Sequence, residues 1–484
     1  MQSPDNDNGS RPIDDRPKRR VALVLILAVW LVTVAANAPG HLSNDSVVQL
    51  GEGRWRVFAG GHPPLMSLLM GWTDGLLPGT ALYLLLSSSF FFGALILLVA
   101  SAPRVTAPMV AFLAAFLLTP LVLVYQGIIW KDVLFANLSL FSFVLIVSAA
   151  DRGGKLRYGA WAVALFTAAV AGQIRQNGVV IVVFCALATA TWRYSSNGLW
   201  RPLVASVTGR ILLGLAVFAT VSFVSAQVVR LSAREQPGNS LSWGVRVVAR
   251  YDLAGMLARG AQDTAALKQY GVELDAARAD ARAHYAADRI DGLNAAVRYG
   301  TEMDRIPPAN LIRVWMEMAL ANPASYLAHR LAVLRWMVWP PDVGRCLPVH
   351  VGVSGPADLM AKLQLQDGQR PADRVLFAYS QQFFGTPLFC HGAFLAASGV
   401  LLVVLVRFPS NRRHVAASLI LSSFAFAISF GLIALACDFR YLYFVPLAFA
   451  GASLVAMSEA LPRSGQPSRA GHESLPTKLD QLGT

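Results

Sequence analysis

Apolar runs long enough to cross the roughly 30 Å hydrocarbon layer of a bilayer recur along this chain. That recurrence sets its class. Inside hydrocarbon every backbone N–H and C=O needs a protein partner, and runs of about 20 residues select helices over a barrel. The runs are Val21–Ala36, Thr80–Ala102, Thr106–Val124, Val133–Ala150, Tyr158–Gly172, Gly178–Trp192, Ile211–Val229, Gly392–Val406, Val415–Ala436 and Tyr441–Leu461. They predict an all-α polytopic membrane protein of about ten transmembrane helices. Composition agrees: 14% of residues are charged, against about 25% in a soluble domain. Tyr158–Gly172 and Gly178–Trp192 are short spans that need neighbouring residues or a locally thinner bilayer.

The net charge of +13 does not call for a nucleic-acid partner. Basic residues concentrate in short connecting segments, where the positive-inside rule accounts for them. With residues 1–20 as a cytoplasmic basic tail, one side holds Arg11, Arg16, Lys18, Arg19, Arg20, Arg104, Arg152, Lys155, Arg157, Arg193, Arg201, Arg210, Arg407, Arg412, Arg413, Arg463, Arg469 and Lys478. The short segments of the other side hold only Arg54, Arg56, Lys131, Arg175 and Arg440. Both termini are therefore expected in the cytoplasm, with residues 462–484 a disordered tail. Val21–Ala36 lacks a clear cleavage site and reads as a retained helix.

Five parts follow from this layout: the tail 1–20, an N-terminal transmembrane domain 21–229 with its first outer loop at 37–79, an extracytoplasmic or interfacial domain 230–391, C-terminal helices 392–461, and the tail 462–484. The large segment is mixed in charge. Thr264–Arg298 reads as soluble helix, and Leu311–Trp339 as an amphipathic pair at the membrane interface. Cys346 and Cys390 share the segment and form a candidate disulfide if it faces an oxidising space. Walker, dinucleotide-binding and HExxH motifs are absent from the sequence.

Acids, amides and histidine collect in the outer connections. Asp45 lies beside the first apolar wall; there, burial would raise a carboxylate's pKa and suit it to accept a proton. Asn44-Asp45-Ser46 also reads as a helix cap. His62-Pro63-Pro64 is a stiff turn. Lys131-Asp132 stands at a helix mouth, as an anchor pair or as a phosphate and acceptor site. Arg175 and Asn177 lie between two short helices, where an arginine is costly unless an anion meets it. Arg440 and Tyr441 follow Asp438 in the last outer turn, where Asp438 and Arg440 can also simply pair.

The order and shared sidedness of these short motifs resemble the C-type (GT-C) superfamily of polytopic glycosyltransferases, such as protein O-mannosyltransferases and lipid A aminoarabinose transferases. The resemblance covers roughly residues 20–240 and, more loosely, the C-terminal helices. It implies sugar transfer from a polyprenyl-phosphate donor to a glycan, lipid or protein hydroxyl on the extracytoplasmic face of a bacterial inner membrane. It implies Asp45 as catalytic base, Asp132 as a second catalytic acid, and His62, Lys131, Arg175, Asn177, Arg440 and Tyr441 around the donor phosphate and sugar. No cofactor is expected, with a divalent metal left open. The isolated Asp45 departs from the paired acids of the protein mannosyltransferases, which argues against a protein acceptor. The alternative is a polytopic transporter or lipid flippase.

Overall fold

The computed structural model describes residues 15–150, 154–189 and 206–459. The predicted tail 462–484, most of 1–20, and the loop residues Arg152, Arg193 and Arg201 lie outside them. Among the described residues the chain is helical, with isolated β-bridges and no strand.

Helices α1 (Arg16–Asn37), α2 (Asn44–Trp55), α3 (Pro64–Leu76), α4 (Ala81–Ser101), α5 (Ala107–Leu117), α6 (Pro120–Leu123), α7 (Lys131–Ser148), α8 (Gly154–Ile174), α9 (Val179–Ala188) and α10 (Val207–Ser232) build the first half. Helix α11 (Ser240–Ala258) opens the large segment. After shorter pieces come α12 (Leu311–Ala321), α13 (Pro323–Val338), α14 (His391–Arg407), α15 (Asn411–Ile433) and α16 (Phe444–Ser458). Among the described residues, six helices are long and apolar enough to cross a membrane: α1, α4, α7, α10, α15 and Phe439–Ser458.

Three expectations change. The predicted helix Thr106–Val124 breaks into α5 and a second piece, bent by 58°. Pro120 has no N–H to give and starts the second piece, while Thr119 is extended at ψ 156°. The predicted helix within Thr264–Arg298 is fragmented. Gly271, at φ +69°, stops the turn Ala265–Lys268 before Leu274–His284 begins. Finally, the disulfide joins Cys346 to Cys437, and Cys390 is free. Cys437 follows the end of α15, and the fold brings it, rather than Cys390, to Cys346.

At the bundle end away from α2 and α3, arginines satisfy the exposed helix carbonyls. Arg19 donates to Val99 O (2.7 Å), Ala100 O (2.9 Å) and Ala102 O (3.0 Å), and Arg412 donates to Ser101 O (2.9 Å). These are the orphan acceptors at the α4 C-terminus, where a cation also meets the negative end of the helix dipole.

At the other end, α2 and α3 form a tight hairpin. A Cβ on Gly53 would collide with the Ser67 carbonyl, and one on Gly71 with the Gly53 backbone. Glycine at both positions lets the two backbones touch. The hairpin carries Asp45 and His62 on a rigid base.

The large segment has its own core, built from Leu253, Met256 and Leu257 of α11 with Tyr299, Met303, Val314 and Met318. Asp252, fully buried, ties this core to the bundle. It accepts from His329 Nε2 (2.8 Å) and Trp315 Nε1 (2.8 Å) and pairs with Arg330 (2.6 Å). Arg330 in turn donates to Ala434 O (2.9 Å), beyond the end of α15.

Candidate functional site

Arg440 is the hub of the site. It sits on the short 3-10 turn Phe439–Leu442, which leads from Asp438 into α16. Its Nη1 lies 2.8 Å from Asp45 Oδ2, and its Nε lies 3.2 Å from Asp438 Oδ2 and 4.0 Å from Asp132 Oδ2. Asp132 also pairs with Arg175. One continuous chain of ion pairs thus runs Asp45–Arg440–Asp132–Arg175, joining four separate connections of the bundle.

Aromatic faces hold the two guanidiniums. Arg440 lies 4.9 Å from the Trp130 ring centroid and 5.3 Å from that of Tyr441. Arg175 lies 5.0 Å from Phe430 and 5.4 Å from Tyr441. Tyr441 therefore stands between the two cations, and such faces offset part of the cost of burying them. Asn177 donates to Ser429 Oγ (2.8 Å) and fixes the loop against α15 rather than facing the charges.

Asp45 does not act as a cap. Ser43 is the N-cap residue of α2, and Asp45 lies in the first turn with its side chain reaching Arg440. Its protonation also departs from expectation. Burial alone would raise its pKa, but Arg440, Lys131 and His62 outweigh it and hold the carboxyl well below the ordinary range. Asp45 is firmly ionised in this state. Asp438 runs the other way: burial raises its pKa even with Arg440 and Arg289 beside it.

Lys131 meets a neutral partner. Its Nζ lies 3.2 Å from His62 Nδ1. Burial, and then the Lys131 charge, push the His62 pKa down to about 4. The neutral ring therefore accepts the ammonium's hydrogen at Nδ1, which puts the ring proton on Nε2. In the unfolded chain His62 titrates near 6.5. Between there and pH 4 the unfolded state binds more protons, so this group erodes stability as pH falls and adds nothing above about pH 7. His62→Gln should flatten part of the decline in melting temperature between pH 7 and pH 4.5. An unchanged slope would show that the ring is not held neutral.

The turn carrying Arg440 is clasped from the large segment. Cys437 N donates to Asp288 O (2.8 Å) and Ile290 N to Leu435 O (2.8 Å). Arg289 approaches Asp438 at 3.4 Å, and the Cys346–Cys437 bond closes the clasp.

Sequence reasoning gave no role to Trp130, which is buried, faces Arg440, and donates from Nε1 to Ser43 Oγ (2.8 Å). A tryptophan directly before Lys131-Asp132 was the available signal. Asp438 was seen only as a partner of Arg440, and Arg289 was not singled out.

A cleft of about 390 Å³ opens beside the cluster, lined by Pro64, Leu65, Gln173, Ser222, Ser225 and residues 237–241 at the start of α11. None of Asp45, Asp132, Arg175 and Arg440 lines it; Gln173 and Pro64 put it next to the loops that carry Arg175 and His62. No group of three or more His, Cys, Asp and Glu residues suited to a metal ion occurs among the described residues. No protein-family model matches the chain, and no curated protein is significantly similar to it.

Proposed function

We propose that this protein is a membrane glycosyltransferase of the GT-C type, using a polyprenyl-phosphate-linked sugar at the extracytoplasmic face. The observation that carries this reading is the Asp45–Arg440–Asp132–Arg175 chain at the mouths of apolar helices, with the Lys131 ammonium facing a neutral imidazole beside it. A lipid-borne phosphate needs a cationic seat at the end of a greasy wall, and an acceptor hydroxyl needs a carboxylate next to it. Lys131, Arg440 and Arg175 supply the first, and Asp45 the second. In this reading the ten helical runs are the spans, both termini are cytoplasmic, residues 230–391 are extracytoplasmic, and the membrane is a bacterial inner one.

Arg440 is the main charge that keeps the Asp45 pKa low. A phosphate arriving at Arg440 competes with Asp45 for the guanidinium. The carboxylate then loses its main counter-charge and becomes a stronger base where the acceptor must be deprotonated. The acceptor oxygen bonds the anomeric carbon as the carbon–oxygen bond to the lipid phosphate breaks, with inversion. Asp45 takes the hydroxyl proton, and Lys131, Arg175 and Arg440 stabilise the charge left on the phosphate. Asp132 acts by holding Arg175 and Arg440 in register.

The test uses purified protein in lipid nanodiscs with a panel of radiolabelled polyprenyl-phosphate pentoses and hexoses and a cell-envelope acceptor fraction. Acceptor-dependent loss of label from the lipid is the expected result. Passage of the donor lipid across a vesicle membrane with its sugar still attached would support a flippase and overturn the proposal.

A further inference from the structure

Glu52 stands in the last turn of α2, buried at 7% exposure, and is tied at three points. Its carbonyl closes the helix. It accepts from the N–H of Arg56, which turns into the left-handed region at φ +57°, and from Val57 N (3.1 Å). One carboxylate oxygen accepts from Ala59 N (3.0 Å) and the other from Ser67 Oγ (2.7 Å). A donor at each oxygen is the pattern of an ionised, acceptor-only carboxylate. Burial pushes the Glu52 pKa up, and Ser67, Ala59 and Lys131 work against it.

Between Ala59 and Ser67 lies His62. The segment before it divides its backbone groups. Arg56 O and Phe58 O accept from Arg234 N (3.0 Å) and Gly238 N (2.9 Å), while Val57 N and Ala59 N both turn to Glu52. Beyond Ala59 the ties stop. Among the described residues none makes a backbone hydrogen bond with Gly60, Gly61 or His62. The two glycines bring no side chain to pack, and nothing lies within 4 Å of a Cβ placed on Gly61. On the far side Pro63 leads into α3 and Pro64 opens it, with Ser67 one turn further on. Glu52 therefore grips the chain both before and after His62. The imidazole meets the Lys131 ammonium at 3.2 Å. An ammonium carries three donors on a flexible stem, so an acceptor in a set place decides where they point.

We propose that Glu52 is a positioning residue: with one oxygen on Ala59 and the other on Ser67, it fixes His62 against Lys131 and thereby orients the ammonium in the site. Reach matters here more than charge. Glutamine keeps an oxygen for Ala59 N and turns its amide to Ser67 Oγ, a hydroxyl that can also accept. Aspartate keeps the charge but is one methylene shorter and cannot hold both ends. That the oriented ammonium meets a lipid-borne phosphate rests on the function proposed above; the placement of His62 does not.

The experiment follows the His62 ring by nitrogen NMR in full-length protein in lipid nanodiscs, grown with isotope-labelled histidine. The His62 signals are those missing from His62→Gln. In the parent and in Glu52→Gln the ring should stay neutral, with the proton on Nε2, from pH 7 to pH 4.5. In Glu52→Asp it should lose that fixed form and titrate near the ordinary value of about 6.5. Lys131, Asp45 and Arg440 face the ring and are the same in both variants, so the change reads placement alone. A hairpin that merely loses stability would lower the melting temperature of Glu52→Asp and leave the titration where it was; that result overturns the proposal. A parent-like ring in Glu52→Asp with a titrating one in Glu52→Gln would make charge the agent and overturn it equally. The expected pattern in a protein that transfers no sugar would remove the glycosyltransferase reading and leave this inference standing.

Discussion

Asp45→Asn is expected to lower sugar transfer by about 10²- to 10⁴-fold, the range in which a positioned general base contributes, while the protein still folds and extracts normally. Asparagine keeps the size of the side chain and an oxygen for Arg440, so the ion pair becomes a hydrogen bond and the cluster stays closed. The proton acceptor alone is lost. The Asp45 side chain is 26% exposed, against 1% for Asp132, so the two acids should respond differently to the same change. Asp132→Asn strips a buried arginine of its charged partner and should show first as lost thermal stability. The measurement is initial transfer rate alongside melting temperature for both variants. Full activity in Asp45→Asn would remove Asp45 from the chemistry, and a large stability loss in that variant would make it a structural ion-pair partner instead.

The long apolar helices were legible because each needs only a long apolar run, which any window of the sequence displays. The break at Pro120 was equally available, since a ring nitrogen without a hydrogen interrupts a helix wherever it falls. It was missed because the apolar run continues unbroken through it. The site residues were legible as polar groups at helix mouths, but their pairing was not. Arg440 finds Asp45 from the opposite end of the sequence, and local sequence records no such contact. Asp45 shows the limit most clearly. Burial beside an apolar wall argues for a raised pKa, and the reversal comes from Arg440, Lys131 and His62, all distant or separated in sequence. The disulfide failed for the same reason: Cys346 and Cys390 share a loop, whereas Cys437 is brought to Cys346 by the clasp between residues 288–290 and 435–437.

Removing Arg440 should cost more than removing any acid around it. The guanidinium is the shared counter-charge of Asp45 and Asp438, stands 4.0 Å from Asp132, and is itself 10% exposed. Arg440→Met leaves carboxylates facing one another with Arg175, Lys131 and, beside Asp438, Arg289 as the remaining cations. Breaking a buried pair by deleting one partner typically costs about 3–5 kcal/mol, because the other charge stays behind. Arg440→Met should therefore melt well below the parent and show no transfer. Adding Asp45→Asn to it removes one of the stranded charges. If the cost is electrostatic, the double variant should regain part of the lost stability, measured as a coupling energy in a double-mutant cycle, while transfer stays absent. Additive losses would mean that Arg440 contributes through its packing between Trp130 and Tyr441 instead. Arg440→Lys separates the two further: an ammonium keeps the charge but cannot reach Asp45 and Asp438 together through a planar fork. It should hold most of the stability and lose the activity if the fork is what seats the lipid phosphate.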